Sequence, residues 1–425
     1  MNTRRILAVA LCLMLALPIA AGLAGEEKIT LTMVESLTNP ERTKVLREIA
    51  DAYQELNPNV VIEIISPPLD GADQKIQQML VNKNPMDIFE VRDLTVAQFT
   101  ANNFIEPLDE YIADWKDFGT LVENAKITAT LVGDKYYMIP YGFYQRMMYY
   151  RADWLEEAGI AVPTTLSELY EAAKAITDPS IGRYGWTLRG VSGGWGFVAD
   201  LVRARLGDKV VDLRDPNYDV EGKSIYLSED AAAVFQFIKG LYSDTSPKDA
   251  IAWGFQDQCQ AFCTGVTAFL FQDPEVVAIC EKDMDEGTWA TAALPVDDIS
   301  NQYPIGVGYA GWGIPSHSEY KQEAADFIMF LSNPENNVKF CRQYSVIPIH
   351  TNAADMDSFF KSGPFAPYVE MNNKPESYFL VVGKNRPADQ ENGLQCDSEF
   401  AQVMSGDAEI EDVLDRWNET FEEIY

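Results

Sequence analysis

The groups best placed to do chemistry in this chain are carboxylates, amides and guanidinium groups that follow short apolar runs, with indoles and phenols set among glycines beside them. Glu35-Ser36 follows Ile29 to Val34, Arg92-Asp93 follows Met86 to Val91, and Gln272-Asp273-Pro274-Glu275 follows FCTGVTAFLF. Polar groups of these kinds meet hydroxyls edge-on, a task open to Glu35, Asp93, Gln145, Gln272, Asp273, Glu275, Arg92, Arg183 and Arg386. Aromatic planes cover apolar C–H faces, a task open to Trp186, Trp195, Trp312, Tyr141, Tyr144 and Tyr309. Together they point to non-covalent recognition of a neutral, polyhydroxylated ligand. The rival use of paired carboxylates such as Asp93 and Glu275 is cleavage of a glycosidic bond, which needs them about 5 to 10 Å apart. No G-x-S-x-G, Walker or H-E-x-x-H pattern accompanies them, so neither catalytic residues nor an enzyme are expected.

The elements that must position these groups begin with two β-branched runs, Ile29 to Val34 and Val60 to Ile65. They flank a helix with Val45, Ile49, Tyr53 and Leu56 on one face. A second helix over Asp73 to Asn82 and a strand over Met86 to Val91 complete a right-handed β-α-β-α-β start, in which ligands lie beyond the carboxyl ends of strands. Further on, a strand is expected to break at Pro140-Tyr141-Gly142 and resume over Met147 to Tyr150. Two helices separated by Gly159 and Pro163 follow, the second capped by Thr165 with Glu168. Gly182 to Gly196, which carries Trp186 and Trp195, reads as a ligand-contacting loop. Later strands are expected over Ala290 to Val296 and Gly306 to Ile314. A helix follows with Ala324, Phe327, Ile328 and Leu331 inward, and the last helix carries Ile410, Val413, Leu414, Trp417 and Phe421.

Arg4 and Arg5, the apolar run Ile6 to Leu17, Pro18 and the small residues near Ala24 have the order of a secretory signal peptide over residues 1–24. The run is shorter than the roughly 20 residues a membrane span needs, and Cys12 lies inside it, so a mature periplasmic protein cleaved near Ala24 is expected. The remaining length of about 400 residues calls for two lobes. A formal charge of −32 disfavours nucleic acid and anionic lipid as partners and serves solubility, while leaving a cationic ligand as a competing reading. Cys259, Cys263, Cys280, Cys341 and Cys396 remain after the signal, an odd set that leaves at least one thiol free. With His317 and His350 in no ligand spacing, no metal or cofactor is expected, and a disulfide among Cys259, Cys263 and Cys280 is favoured over a metal site.

Five segments, NPMDIFEV, ANNFIEPLDEYI, IPYGFYQRMMYYRADWLEEAGI, TGVTAFLFQDPEV and GYAGWGIPSHSEYKQEAADFIMFLSNPEN, fall in one order across nearly the whole mature chain. In this order the chain resembles the maltose-binding-protein-like, sugar-type family 1 of extracellular solute-binding proteins of ABC importers. The resemblance implies a two-lobed α/β periplasmic-binding-protein fold of type II, with three interdomain crossovers and a ligand cleft between the lobes. The lobes are expected to be 26–140 with 296–332, and 145–292 with 337–425, the third crossover lying near Ser332-Asn333-Pro334. By resemblance the contact positions are Glu35, Asp93, Tyr144, Gln145, Gln272, Asp273, Glu275, Tyr309, Gly311 and Trp312, with Ser36, Arg92, Tyr141, Trp195 and Arg386 added from the chemistry of the residues. Where the family carries a Gly-Pro-Trp or Gly-Trp step, this chain has Asp273-Pro274-Glu275, which shifts the stacking platform to Trp195 or Trp312. Replacing Trp312 is therefore expected to weaken binding and to spare the stability of the ligand-free protein. The implied function is capture of a carbohydrate by a monomer that closes by hinge motion and delivers it to ABC permease subunits. A binding protein for an amine or polyamine, and a ligand sensor for a chemoreceptor, are the alternatives.

Overall fold

The computed structural model describes residues 28–69, 71–212, 215–381 and 389–422. The signal segment and Arg386 lie outside the described residues. The strands used below are β1 (Ile29–Val34), β2 (Val60–Ile65), β3 (Ile88–Arg92), β4 (Ile139–Gln145), β5 (Met147–Tyr150), β6 (Tyr184–Trp186), β7 (Thr267–Gln272), β8 (Ala290–Ala292), β9 (Tyr303–Gly313) and β10 (Tyr378–Val381). They form two main sheets. The first has the order β10-β9-β3-β1-β2 with β4 also paired to β9, and the second has the order β8-β5-β7-β6.

The β-α-β-α-β start forms as its periodicity dictates. β1 pairs in parallel with β2 and β3, and Leu31, Met33 and Val34 are fully buried. Helix α1 (Pro40–Leu56) starts where the Asn39 side chain accepts the N–H groups of Glu41 and Arg42, with proline at its first position. Val45, Ile49 and Tyr53 turn inward, whereas Leu56, at the helix end, is 70% exposed.

β4 runs unbroken through Pro140-Tyr141-Gly142, contrary to the expected interruption there. Its antiparallel ladder to β9 absorbs Pro140 at a register shift between Ala310 and Gly311, the setting in which a strand tolerates proline. The chain leaves the first sheet one step later, at Arg146, and β5 enters the second sheet between β7 and β8. β9 is the other strand that links the lobes. Its first residues, Tyr303 to Gly306, pair with β10, and Val307 to Gly313 run between β4 and β3.

The glycine-rich segment 182–196 is also more ordered than a loop. It contains β6 and the first turn of helix α2 (Gly194–Leu206). Gly194 is required by packing, since a Cβ there would lie 2.2 Å from the Phe400 ring.

Helix α3 (Pro334–Tyr344) packs on α1 and on β4. Asn337 donates from Nδ2 to the Tyr141 carbonyl at 2.7 Å and accepts the Ile349 N–H at 3.2 Å. Phe143 and Ile347 exchange backbone hydrogen bonds. The segment from Pro334 to Ile349 therefore packs with the first sheet, and the crossover drawn at Ser332-Asn333-Pro334 falls after it. The second lobe is held by a ring stack of Phe400, Phe235 and Trp417, with centroid separations of 5.8 and 5.5 Å, covered by the last helix, Ile410–Glu422.

Candidate functional site

Two clusters of buried charge differ in how fully their carboxylates are paired, and each also keeps buried donors without a partner. The first surrounds Arg42. Its guanidinium pairs with Glu35 at 2.5 Å and with Glu90 at 2.7 Å, all three side chains being fully buried. Glu35 also accepts the hydroxyls of Thr43 and Ser66. Glu90 accepts the backbone N–H groups of Ser36 and Leu37 and the Tyr141 hydroxyl, which in turn meets the Tyr144 hydroxyl at 2.9 Å. The Arg42 guanidinium lies 5.2 to 5.5 Å from the ring centroids of Tyr141, Trp312, Phe340 and Tyr344. Burial alone would lower its pKa, but Glu90, Tyr141 and Glu35 more than reverse that and raise it.

This cluster claims several residues expected to touch ligand. Glu35 is an internal counter-ion that fastens α1 to β1, and Ser36 lends its N–H to Glu90. Tyr141 and Tyr309 are only 2% and 3% exposed, and Trp312 is 0% exposed against Tyr141. Trp312 is thus packed inside the first lobe and does not stand free as the expected platform. Gly311 is glycine because β4 crosses so close that a Cβ would fall 2.5 Å from the Ile139 carbonyl oxygen. Arg42 and Glu90 were missed in the sequence reading, although a carboxylate inside the apolar run IFEV is the signal that a buried cation must face it.

Trp195 opens α2, where its ring lies tilted against Phe421 at 5.3 Å and its backbone N–H donates to Asp397. It faces the last helix of the second lobe. Arg183 is tied to Glu157 at 3.0 Å over the Trp154 ring, and Arg92 to Asp73 at 2.8 Å. Asp93 follows Arg92 and accepts its neighbour Leu94's N–H at 2.8 Å. Burial pushes its carboxyl up against the pull of Arg92.

The second cluster stands where β4 passes into β5 and where the turns after β6 and β7 meet it. It contains Gln145, Arg146, Arg189, Gln272, Asp273 and Glu275, with Tyr368 beside the two carboxylates. Gln272 is fixed by Gln258 at 3.0 Å, and Gln258 by the Thr187 carbonyl at 3.0 Å. The Tyr149 hydroxyl holds the Asp273 carbonyl at 2.8 Å. Arg146 reaches Asp200 only at 3.7 Å.

Burial raises the Asp273 carboxyl, opposed by Arg146 and Arg189. Burial and then Asp273 push Glu275 up to about 8. Burial and then Arg146 lower the Arg189 guanidinium. Tyr144 and Tyr344, which pack with the first lobe, feel the charge of Glu275 from across the gap.

Gln145 Nε2, Arg189 Nε, Glu275 Oε2, the Tyr368 hydroxyl and the nearby Trp186 Nε1 are all buried without a hydrogen-bond partner. Such atoms cost about 1 to 3 kcal/mol each when left so. The cavity among Arg146, Trp186, Arg189 and Gln272 measures about 20 Å³, room for roughly one water. A larger hollow of about 820 Å³ lies on the first lobe between Asn39, Arg47 and Pro67. It is open to solvent and none of its lining residues carries an unpaired buried polar atom, so size favours the hollow and chemistry favours the chamber. We take the chamber as the site.

Arg146, Arg189 and Tyr368 were not singled out in the sequence. Arg146 is adjacent to Gln145 at the strand exit and was open to inference, while Arg189 and Tyr368 arrive by long-range folding. The thiols differ from expectation as well. Cys263 and Cys280 approach to 3.9 Å, but no disulfide joins any of the cysteines among the described residues. His350 is buried between the Thr120 hydroxyl and the Ser332 carbonyl, a structural role.

Two sheets joined through β4–β5 and β9 give a two-lobed α/β architecture. The sequence profile of bacterial extracellular solute-binding proteins matches residues 48–367, and the chain belongs to that family. The mannitol-binding protein of Pseudomonas aeruginosa is 21% identical over 419 residues, covering 94% of this chain and 93% of that protein. A maltose-bound protein of T. maritima has a TM-score of 0.80 at 18% identity, covering 93% of this chain and all of the other. A D-mannitol-bound ABC transporter solute-binding protein of Agrobacterium vitis S4 has a TM-score of 0.75 at 21% identity, covering 93% and 97%. Among the described residues no helix is long and apolar enough to cross a membrane.

Proposed function

We propose that this protein captures a neutral carbohydrate or sugar derivative between its lobes, closes over it by hinge motion, and presents it to the permease subunits of an ABC importer at the outer face of the inner membrane. The observation that carries the reading is the set of buried donors and acceptors without partners, contributed by Gln145, Arg189, Glu275 and Tyr368. A polyhydroxylated molecule supplies the missing partners at every one of them, since each hydroxyl both donates and accepts. Arg146 and Arg189 weigh against a polyamine, because a cationic ligand would be driven against two guanidinium groups in a poorly solvated space. They also leave Asp273 and Glu275 compensated rather than free to hold a cation.

The hinge reading is supported by the two thin connections at Arg146 and along β9, which let the lobes rotate while each keeps its own sheet. Capture without turnover is part of the proposal, and so are export by the leader and action as a monomer. A thermal-shift screen of the mature protein against sugars, polyols, amines and amino acids tests it, because a ligand of the folded state raises Tm by mass action. A shift with sugars or polyols that are recovered unchanged is the expected result. A shift with amines alone, or consumption of the hit, would overturn it. A chemoreceptor role uses the same chamber and is separated by co-purification with permease or receptor.

A further inference from the structure

We propose that the chamber takes a single small polyhydroxylated unit, an acyclic polyol or a monosaccharide, and excludes oligosaccharides. The inference rests on the carbohydrate reading above and adds the size and shape of the ligand. A row of linked sugar rings presents a row of apolar faces, and holding it calls for aromatic planes standing free in the cleft. In this protein those planes are engaged elsewhere. Trp312, Tyr141 and Tyr309 lie inside the first lobe, and the half-buried Trp195 ring is tilted against Phe421. Trp186 is stacked on Phe197 at 5.6 Å and met edge-on by Phe271 at 4.9 Å, so that its unpaired Nε1, not its face, is what remains for a ligand beside the cavity. The open hollow by Pro40 and Pro67 has no aromatic side chain in its wall either.

What the chamber offers instead is a set of point contacts. Gln145 and Tyr368 are 4% and 3% exposed, and the unpaired atoms of Arg189 and Glu275 are shut off from solvent. Gln145 Nε2 and Arg189 Nε are donors, and the Glu275 carboxyl, raised to about 8, and the Tyr368 hydroxyl can each donate or accept. A short chain of hydroxyls satisfies such a set from several sides without any stacked face. The cavity as it stands admits about one water, so the lobes must part for any ligand, and a single unit needs less opening than a longer saccharide whose outward units would keep the buried atoms unpaired.

The test is calorimetric titration of the mature chain with pentitols, hexitols, aldohexoses and the matching di- and trisaccharides, repeated on Glu275→Gln and Arg189→Met. The expected result is binding of a single-unit ligand, with trisaccharides weaker by about a hundredfold or more, equivalent to roughly 2.7 kcal/mol. Each variant should lose about tenfold or more for the same ligand, as expected when a buried hydrogen-bond partner of the ligand is removed. A trisaccharide binding more tightly than any single unit overturns the size assignment and leaves the carbohydrate reading standing. Heat from amines or amino acids and from no sugar or polyol overturns both. Unchanged affinity in both variants, each with wild-type ligand-free Tm, overturns the placement in this chamber.

Discussion

The Arg42 cluster and the interlobe chamber are built from the same materials, guanidinium groups, carboxylates and tyrosines, yet they do opposite things. Around Arg42 both carboxylates are matched by the guanidinium, two hydroxyls, a phenol and two backbone N–H groups. In the chamber, Arg189, Glu275, Gln145 and Tyr368 each keep a buried atom without a partner. Arg42 Nε, Ser36 Oγ and Trp312 Nε1 also lack partners in the first cluster, so the difference lies in the carboxylates, matched in one cluster and left with an unpaired Glu275 oxygen in the other. Charge content does not separate the two cases; the pairing of the carboxylates does.

The comparison can be broken most severely at Arg42. Arg42→Met strands Glu35 and Glu90 in the interior, and a loss of about 3 to 5 kcal/mol is expected in urea unfolding. Arg189→Met should instead cost far less, since burial and Arg146 already disfavour the cation it removes and Arg146 still faces Asp273 and Glu275. Equal losses in the two variants would erase the distinction drawn here. Trp312→Ala, on the structural side, should cost about 3 to 5 kcal/mol in the ligand-free protein, and a variant of normal stability with lost binding would return Trp312 to the site.

The pH dependence sharpens the comparison at Glu275. Its carboxyl is raised from 4.5 in the unfolded chain to about 8 in the folded protein. The folded state therefore keeps a proton that the unfolded state releases. Stability is highest below about pH 4.5 for this group and declines as pH rises toward about 8, above which the loss is constant. Ligand-free Tm measured across that window should fall more steeply in the wild type than in Glu275→Gln, with the residual slope belonging to Asp273, raised in the same direction. Identical slopes would show that Glu275 is not the group holding the proton. The smallest effect belongs to an exposed pair. Lys339 and Glu48 meet at 2.9 Å with about half of each side chain in solvent, and Lys339→Gln should change stability by no more than about 1 kcal/mol, less in high salt.

The residues proposed for recognition are legible in the sequence to the extent that strand ends are. Gln145, Gln272, Asp273 and Glu275 stand at strand ends that converge, and strand ends are visible as the close of apolar runs. Glu35, Trp312 and Gly311 obey the same local pattern and serve the interior, because what consumed them comes from elsewhere. Glu35 is met by Arg42 from α1, Trp312 by Tyr141 and Arg42, and Gly311 by the backbone of Ile139. Trp195 was drawn to the cleft by its glycine neighbours, but those glycines admit Phe400 and start a helix.

The sequence by itself determined what depends on near neighbours. It specified the parallel start of β1, α1, β2 and β3, the Thr165–Glu168 cap, the left-handed turn at Gly159 and the inward faces of the later helices. Periodicity and capping act within a few residues, so they can be read without the fold. The tertiary structure alone decided which buried charges are paired and which are not, where the chain changes lobes, and on which sheet Pro334–Tyr344 rests. Those outcomes depend on contacts such as Asn337 with Tyr141, 196 residues apart in the chain. A polar side chain looks the same in sequence whether its partner is another part of the protein or a ligand yet to arrive, and only the three-dimensional arrangement shows which partners are missing.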